Sequence, residues 1–148
     1  MAVTITLYDH TVSRFASGAN AVGDTYKINL YSAFTFNATH TTKATAEGGA
    51  TQLSTAFGYT QDDKALGSVA VSVVTTNDAK FDAADVSWTA SGGDIGPASY
   101  ALIYNDTDVD KPPVAYIAFG EAKTANTGTP FNITWDAAGI ITFTYTPA

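Results

Sequence analysis

The segment Asn105-Asp106-Thr107-Asp108-Val109-Asp110 sets a carboxylate at every second position. Oxygen donors spaced this way on a turn can converge on a calcium ion. An EF-hand loop starting at Asp106 needs glycine in the sixth place and glutamate in the twelfth. Lys111 and Ile117 stand there instead. Asp106, Asp108 and Asp110 are therefore candidates only for a calcium site of another kind. The plainer reading is a solvated acidic turn, and it is the one favoured here. His10 and His40 are the only histidines. Neither is accompanied by a G-x-S-x-G elbow or an H-E-x-x-H helix, so each reads as a structural histidine. Glycoside hydrolysis needs two carboxylates at a defined separation. Fourteen acids offer many pairs and so select none. Asp24, Asp62, Asp63, Asp78, Asp94 and Asp136 lie in turn contexts, where the side chain bonds its own backbone. Trp88 and Trp135 could stack on a sugar ring, but they fall in register with Val86 and Ile133 on a face read as core. Gly48-Gly49 and Gly92-Gly93 read as turn glycines, with no phosphate loop around them. No catalytic residue and no cofactor is expected.

These residues must be carried by strands. From Leu66 to Asp106 the chain reads as three strands in succession. Val69, Val71 and Val73 alternate with Ser68, Ala70 and Ser72. After Thr76-Asn77-Asp78, Val86, Trp88 and Ala90 alternate likewise, and Tyr100 to Tyr104 is apolar on both faces. Alternation marks a half-buried strand, and a short apolar run between turn signals marks a fully buried one. Earlier, Val3, Ile5 and Leu7 predict a strand. Asp9 is expected to cap a helical turn with Val12 and Phe15 on one side and Gly18 at its end. Thr25 to Tyr31 predicts a strand with Tyr26, Ile28 and Leu30 on one face. Ser32 to Gly49 reads as a long, partly ordered loop, with at most a helical turn. Thr51 to Thr55 is a short strand candidate. Later, Val114 to Phe119 is apolar on both faces. Phe131, Ile133 and Trp135 face one way, and Ile141, Phe143 and Tyr145 form a last strand.

Eight or nine short strands with frequent turn signals predict an all-β fold. An antiparallel β-sandwich, jelly-roll-like, with one long loop, suits them best. The 148 residues fit a single domain, 1–148. Cysteine is absent, which removes disulfides, thiolate metal sites and thiol nucleophiles. Net charge is -7, and the seven Lys and Arg form no cluster. Binding to phosphate backbones needs clustered cations, so no nucleic-acid partner is expected. A polybasic membrane anchor is missing for the same reason. No apolar run approaches a membrane span, and MAVTITLYDH lacks the basic and apolar regions of a signal peptide. A soluble cytoplasmic product, or one released by lysis, follows as the expectation. The three Asn-x-Thr triplets carry little weight in so Thr-rich a chain.

Four segments carry a resemblance: ITLYDHTVSRFASG, FTFNATHTT, TTNDAKFDAADVSWTASGGDIGPASYALIYND and VAYIAFGEAKTANTGTPFNITWDAAGI. They cover well over half of the chain, in order. In them the chain resembles a family of small virion structural proteins of tailed bacteriophages. The resemblance implies a non-enzymatic particle component, placed on the capsid exterior as a decoration or cement protein that clamps neighbouring major capsid subunits. It implies a small sandwich or jelly roll acting as a homodimer or homotrimer. The alternatives are a tail, fibre or adaptor component and, in another class, a carbohydrate-binding module using exposed aromatics. Function is expected at the edges of the domain, with Ser32 to Gly49 and the first ten residues as the contact segments.

Overall fold

The computed structural model describes residues 2–147. Among them are ten strands: β1 Thr4–Leu7, β2 Tyr26–Ala33, β3 Thr51–Gln52, β4 Ala70–Thr75, β5 Asp78–Asp82, β6 Val86–Thr89, β7 Ile95–Asn105, β8 Pro113–Ala125, β9 Pro130–Ile133 and β10 Ile141–Thr144. Two short helices, α1 Thr11–Ser17 and α2 Lys43–Ala46, complete the set. Every strand pair is antiparallel. The strands form a five-stranded sheet, β1-β8-β7-β2-β3, a three-stranded sheet, β10-β5-β4, and a pair, β6-β9. Neither helix is long and apolar enough to cross a membrane.

Register explains the core. Ile28 lies opposite Ile103, and Ala101 opposite Ile117. Directly opposed residues share a face, so Tyr26, Ile28, Leu30, Ala101, Ile103, Ala115 and Ile117 form one apolar layer. Phe81, Val86, Trp88, Phe131, Ile133 and Ile141 from the two smaller sheets pack onto it. The other face of the large sheet is buried as well. Tyr8, Tyr31 and Leu102 lie there under Ala46, with Phe34, Phe36, Tyr100 and Tyr116 around them. Burial on both faces is why Tyr100 to Tyr104 reads as a continuous apolar run.

Several expectations change here. The stretch from Leu66 to Asp106 holds four strands, not three. Asp78–Asp82 is β5, paired with β4 on one side and β10 on the other. The sequence pattern predicts a turn at Thr76-Asn77-Asp78 and no strand before Val86, but Ala79 and Phe81 alternate with Lys80 and Asp82, and Phe81 is fully buried. β4 is not half-buried: all six of its residues are exposed. It lies at the rim of its sheet, and the core does not extend beneath it. His10, not Asp9, caps α1, and it makes no side-chain cap bond. Val12 is exposed, while Gly18 ends the helix in the left-handed region, as expected. Trp135 lies past the end of β9. It packs only partly on the core, and its indole N–H donates to the Ala84 carbonyl at 3.0 Å.

Ser32 to Gly49 is ordered rather than loose. β2 continues to Ala33, and Thr42 begins α2 through a reciprocal capping box with Thr45. Phe34 and Phe36 stack on the large sheet, with Phe36 at 4.9 Å and Phe34 at 5.2 Å from Tyr116. The return toward β4 passes close to β6. A side chain at Gly58 would sit 2.1 Å from the Thr89 carbonyl oxygen, so only glycine fits.

Candidate functional site

The acidic turn lies between β7 and β8. Asp106 pairs with Lys27 at 2.8 Å and with Lys111 at 2.7 Å. Asp108 pairs with Arg14 of α1 at 2.5 Å and accepts the Asp110 N–H at 3.0 Å. Burial works to raise the Asp106 pKa, but hydrogen bonds from the two lysines outweigh it and hold the carboxyl below its usual range. The Asp110 N–H, then Arg14, do the same for Asp108. Asp106 and Asp108 thus already hold three of the chain's own cations, while Asp110 is exposed. Among the described residues no group of three or more His, Asp or Glu is placed to hold a metal ion. What the turn does is pin α1 and β2 to the β7–β8 connection. Calcium added to chelator-treated protein is expected to leave Tm unchanged. A rise in Tm that Asp108→Asn abolishes would instead establish a calcium loop.

The histidines serve the scaffold. His10 Nε2 donates to the Pro113 carbonyl at 2.9 Å, and burial pulls its pKa down. Next to it, buried Thr11 donates to the Val114 carbonyl at 2.8 Å. Together these bonds moor α1 to the start of β8. His40 is half-buried in the segment over the sheet. Trp88 lies in the core, under Lys64 and against Tyr59 and Phe131.

The folded chain also assembles a polar cluster of which only the i, i+4 pair Lys43–Glu47 is legible in the spacing. Lys43 of α2 reaches Glu47 at 3.0 Å and Asp62 at 2.9 Å. Asn29 of β2 donates to Asp62 at 2.5 Å and accepts the Asp62 N–H at 3.1 Å. The Tyr31 hydroxyl donates to Glu47, and the Lys43 ammonium stands 5.2 Å from the centre of the Tyr104 ring. Burial alone would lower the Lys43 pKa, but its bonds to Asp62 and Glu47 carry it above the usual value. Burial would raise the Asp62 pKa, but Lys43 and Asn29 carry it below. Each charged group is matched inside the cluster, so it acts as a clamp holding the segment from Phe34 to Asp62 against the sheet.

Surface open to a partner lies at the sheet edges. β1 and β9 each pair on one side only. Between them a groove of about 500 Å³ opens onto the core, lined by Val3, Ile5, Ile117, Phe119, Phe131 and Ile133. Val3 and Ile5 are exposed. Met1, part of the expected contact segment, lies outside the described residues. On the opposite face of the large sheet, Tyr100, Tyr116 and Phe36 are half-buried and stacked, at 5.7 and 4.9 Å between neighbouring rings. No family model matches the chain, and no curated protein or solved structure is significantly similar to it.

Proposed function

We propose that the chain is a non-enzymatic structural component of a bacteriophage particle. It acts as a capsid decoration or cement protein, on the capsid exterior, bridging neighbouring major capsid subunits. The observation that carries this reading is the groove between β1 and β9. β1 and β9, each paired on one side only, flank a groove whose lining is mostly apolar and also includes Lys123, Asn132 and Asp136. Such a site accepts an extended segment of another protein, which adds a strand while its alternate side chains fill the trough. A capsid subunit's arm is an occupant of that kind. The scaffold behind the groove is held rigid by aromatic packing and by the Lys43 clamp, as a cross-linking protein requires.

The finer fold reading belongs with this proposal. β1 pairs with β8 and β2 with β7, early strands with late ones, while β2–β3, β4–β5 and β7–β8 pair sequence neighbours. The two early-with-late pairs are what supports a jelly-roll-like sandwich. The large sheet and the two small ones are its layers.

Purified protein added to undecorated capsids is expected to bind in hundreds of copies and to raise their resistance to heat and osmotic shock. Ile5→Lys, at the mouth of the groove, is expected to weaken that binding. Failure of the wild-type chain to bind capsids, with a handful of copies found in the tail, would move the assignment to a tail, fibre or adaptor component. The stacked rings of Tyr100, Tyr116 and Phe36 favour a second reading, a carbohydrate-binding module. Sugar binding that quenches tyrosine fluorescence and is lost in Tyr116→Ala would support it.

A further inference from the structure

We propose that the cleft beside the tight turn from Ala56 to Tyr59 binds a neutral sugar ring, which stacks on Phe57 and is hydrogen-bonded by Asp94 and Gln52. Ala56 and Tyr59 exchange backbone bonds of 3.0 and 2.9 Å, so Phe57 and Gly58 alone make the reversal. Both have positive φ, 56° and 96°, the backbone of a type I′ turn. Asn, Asp or Gly normally fills the first of these places, and a bulky side chain there is strained. Phe57 is the only aromatic residue among the described non-glycine residues with positive φ. Strain of this kind persists only where the surrounding structure enforces it, and it gathers at ligand sites.

The surroundings do enforce it. The Ser91 N–H donates to the Phe57 carbonyl at 3.0 Å. A Cβ at Gly93 would lie 2.4 Å from the Phe57 ring, so one side of the ring rests on bare backbone. The ring is still 49% exposed. Burial alone does not explain a phenylalanine here, and an asparagine would make the turn with less strain. What the chain gains is a flat apolar surface, fixed in place and open to solvent.

Chemistry selects the ligand. Phe57 lines a cleft of about 420 Å³ between β3 and the start of β7, within the roughly 300–1,000 Å³ range of small-molecule sites. Its polar lining is uncharged except for Asp94. The Thr127 N–H and hydroxyl both donate to Asp94 Oδ1, at 2.8 and 3.2 Å, which orients the carboxylate. Its Oδ2 has no hydrogen-bond partner among the described residues. Gln52 is oriented likewise, its Nε2 donating to the Tyr59 hydroxyl at 3.2 Å. No Lys, Arg or His lines the cleft, so a phosphate or carboxylate ligand would meet no cation. One carboxylate is too few to hold a metal ion. A sugar ring suits both halves of the site. Its C–H groups pack on the negative face of an aromatic ring, and its hydroxyls donate to carboxylate and amide oxygens. None of Tyr100, Tyr116 and Phe36 lines the cleft.

A sugar site here is independent of the particle reading, and its test uses no capsids. The full chain is mixed with methyl glucoside, methyl galactoside, methyl mannoside or N-acetylglucosamine, and saturation-transfer NMR reads which sugar protons touch the protein. At least one of these sugars is expected to bind in the millimolar range, through its ring C–H protons. Phe57→Asn is expected to abolish binding and to leave Tm unchanged or raised, because it relieves the turn. Asp94→Asn, which can still accept both Thr127 bonds, is expected to weaken binding about tenfold or more. Tyr116→Ala is expected to leave binding intact. No transfer to any of these sugars overturns the proposal. So does binding that survives Phe57→Asn or Asp94→Asn unchanged, a lower Tm in Phe57→Asn, or binding that Tyr116→Ala abolishes.

Discussion

Phe81→Ala lowers the unfolding free energy by about 3–5 kcal/mol, the cost of losing a buried aromatic side chain and leaving a cavity. The ring is fully buried. It sits 5.0 Å from Phe15 of α1 and 5.1 Å from Tyr26 of β2, centroid to centroid. β5 is the central strand of the small sheet, so this side chain joins that sheet to the helix and to the large sheet at once. Neighbours held by two sheets cannot collapse fully into the gap, which places the cost toward the upper end. For a chain of this length Tm falls by roughly 2–4 °C per kcal/mol, and about 10 °C or more in total. Denaturant titration and thermal melting both read the effect. A loss under about 1 kcal/mol would show that β5 is not docked on the large sheet.

Lys43→Met costs about 1–3 kcal/mol, because Glu47 and Asp62 lose the cation they share and Asn29 is left to hold Asp62 alone. Solvent access at Asp62 keeps the loss below that of a fully buried pair. The pH dependence distinguishes this from a simple packing defect. Asp62 has a folded pKa below its ordinary 3.8, so its contribution is present above that value and is lost as pH falls through the folded pKa. Lys43 has a folded pKa above its ordinary 10.5, so its contribution is complete below that value and is lost as pH rises through the folded pKa. Wild-type stability therefore drops at both extremes. The variant starts lower at neutral pH and shows shallower losses on both limbs. A variant with unchanged neutral stability and unchanged limbs would show that the clamp contributes nothing.

The two variants separate what could be read from the sequence from what could not. Phe81 lies between the turn signal Thr76-Asn77-Asp78 and the strand pattern at Val86, in a stretch assigned to no strand because Asp78, Lys80 and Asp82 dilute its alternation. Those charges are tolerated because Asp82 meets Lys80, and the Lys80 ammonium also reaches the Ala137 carbonyl at 2.8 Å. Lys43 and Glu47 stand at the i, i+4 spacing of a helix, but no pattern ties Asp62 or Asn29 to them. They meet only because α2 and the bend at Asp62 are laid over the same face of β2. The acidic turn is the opposite case. Its alternating carboxylates are plain in the sequence, but Lys27 and Arg14, which occupy two of them, come from distant elements.

Tyr26, Ile28 and Leu30, Phe131 and Ile133, and the apolar runs of β7 and β8 are readable from the sequence because strand geometry alternates side chains whatever the strand pairs with. The all-β class, the left-handed end of α1 at Gly18 and the lack of thiol chemistry follow from residue type alone. Burial does not, because it depends on what lies opposite. Val71, Val73 and Phe81 share the same alternation and the same sheet face, yet only Phe81 is covered. Which apolar face becomes core and which stays open at an edge was decided only by how the sheets stack, and the groove at β1 and the exposed valines of β4 both follow from that stacking.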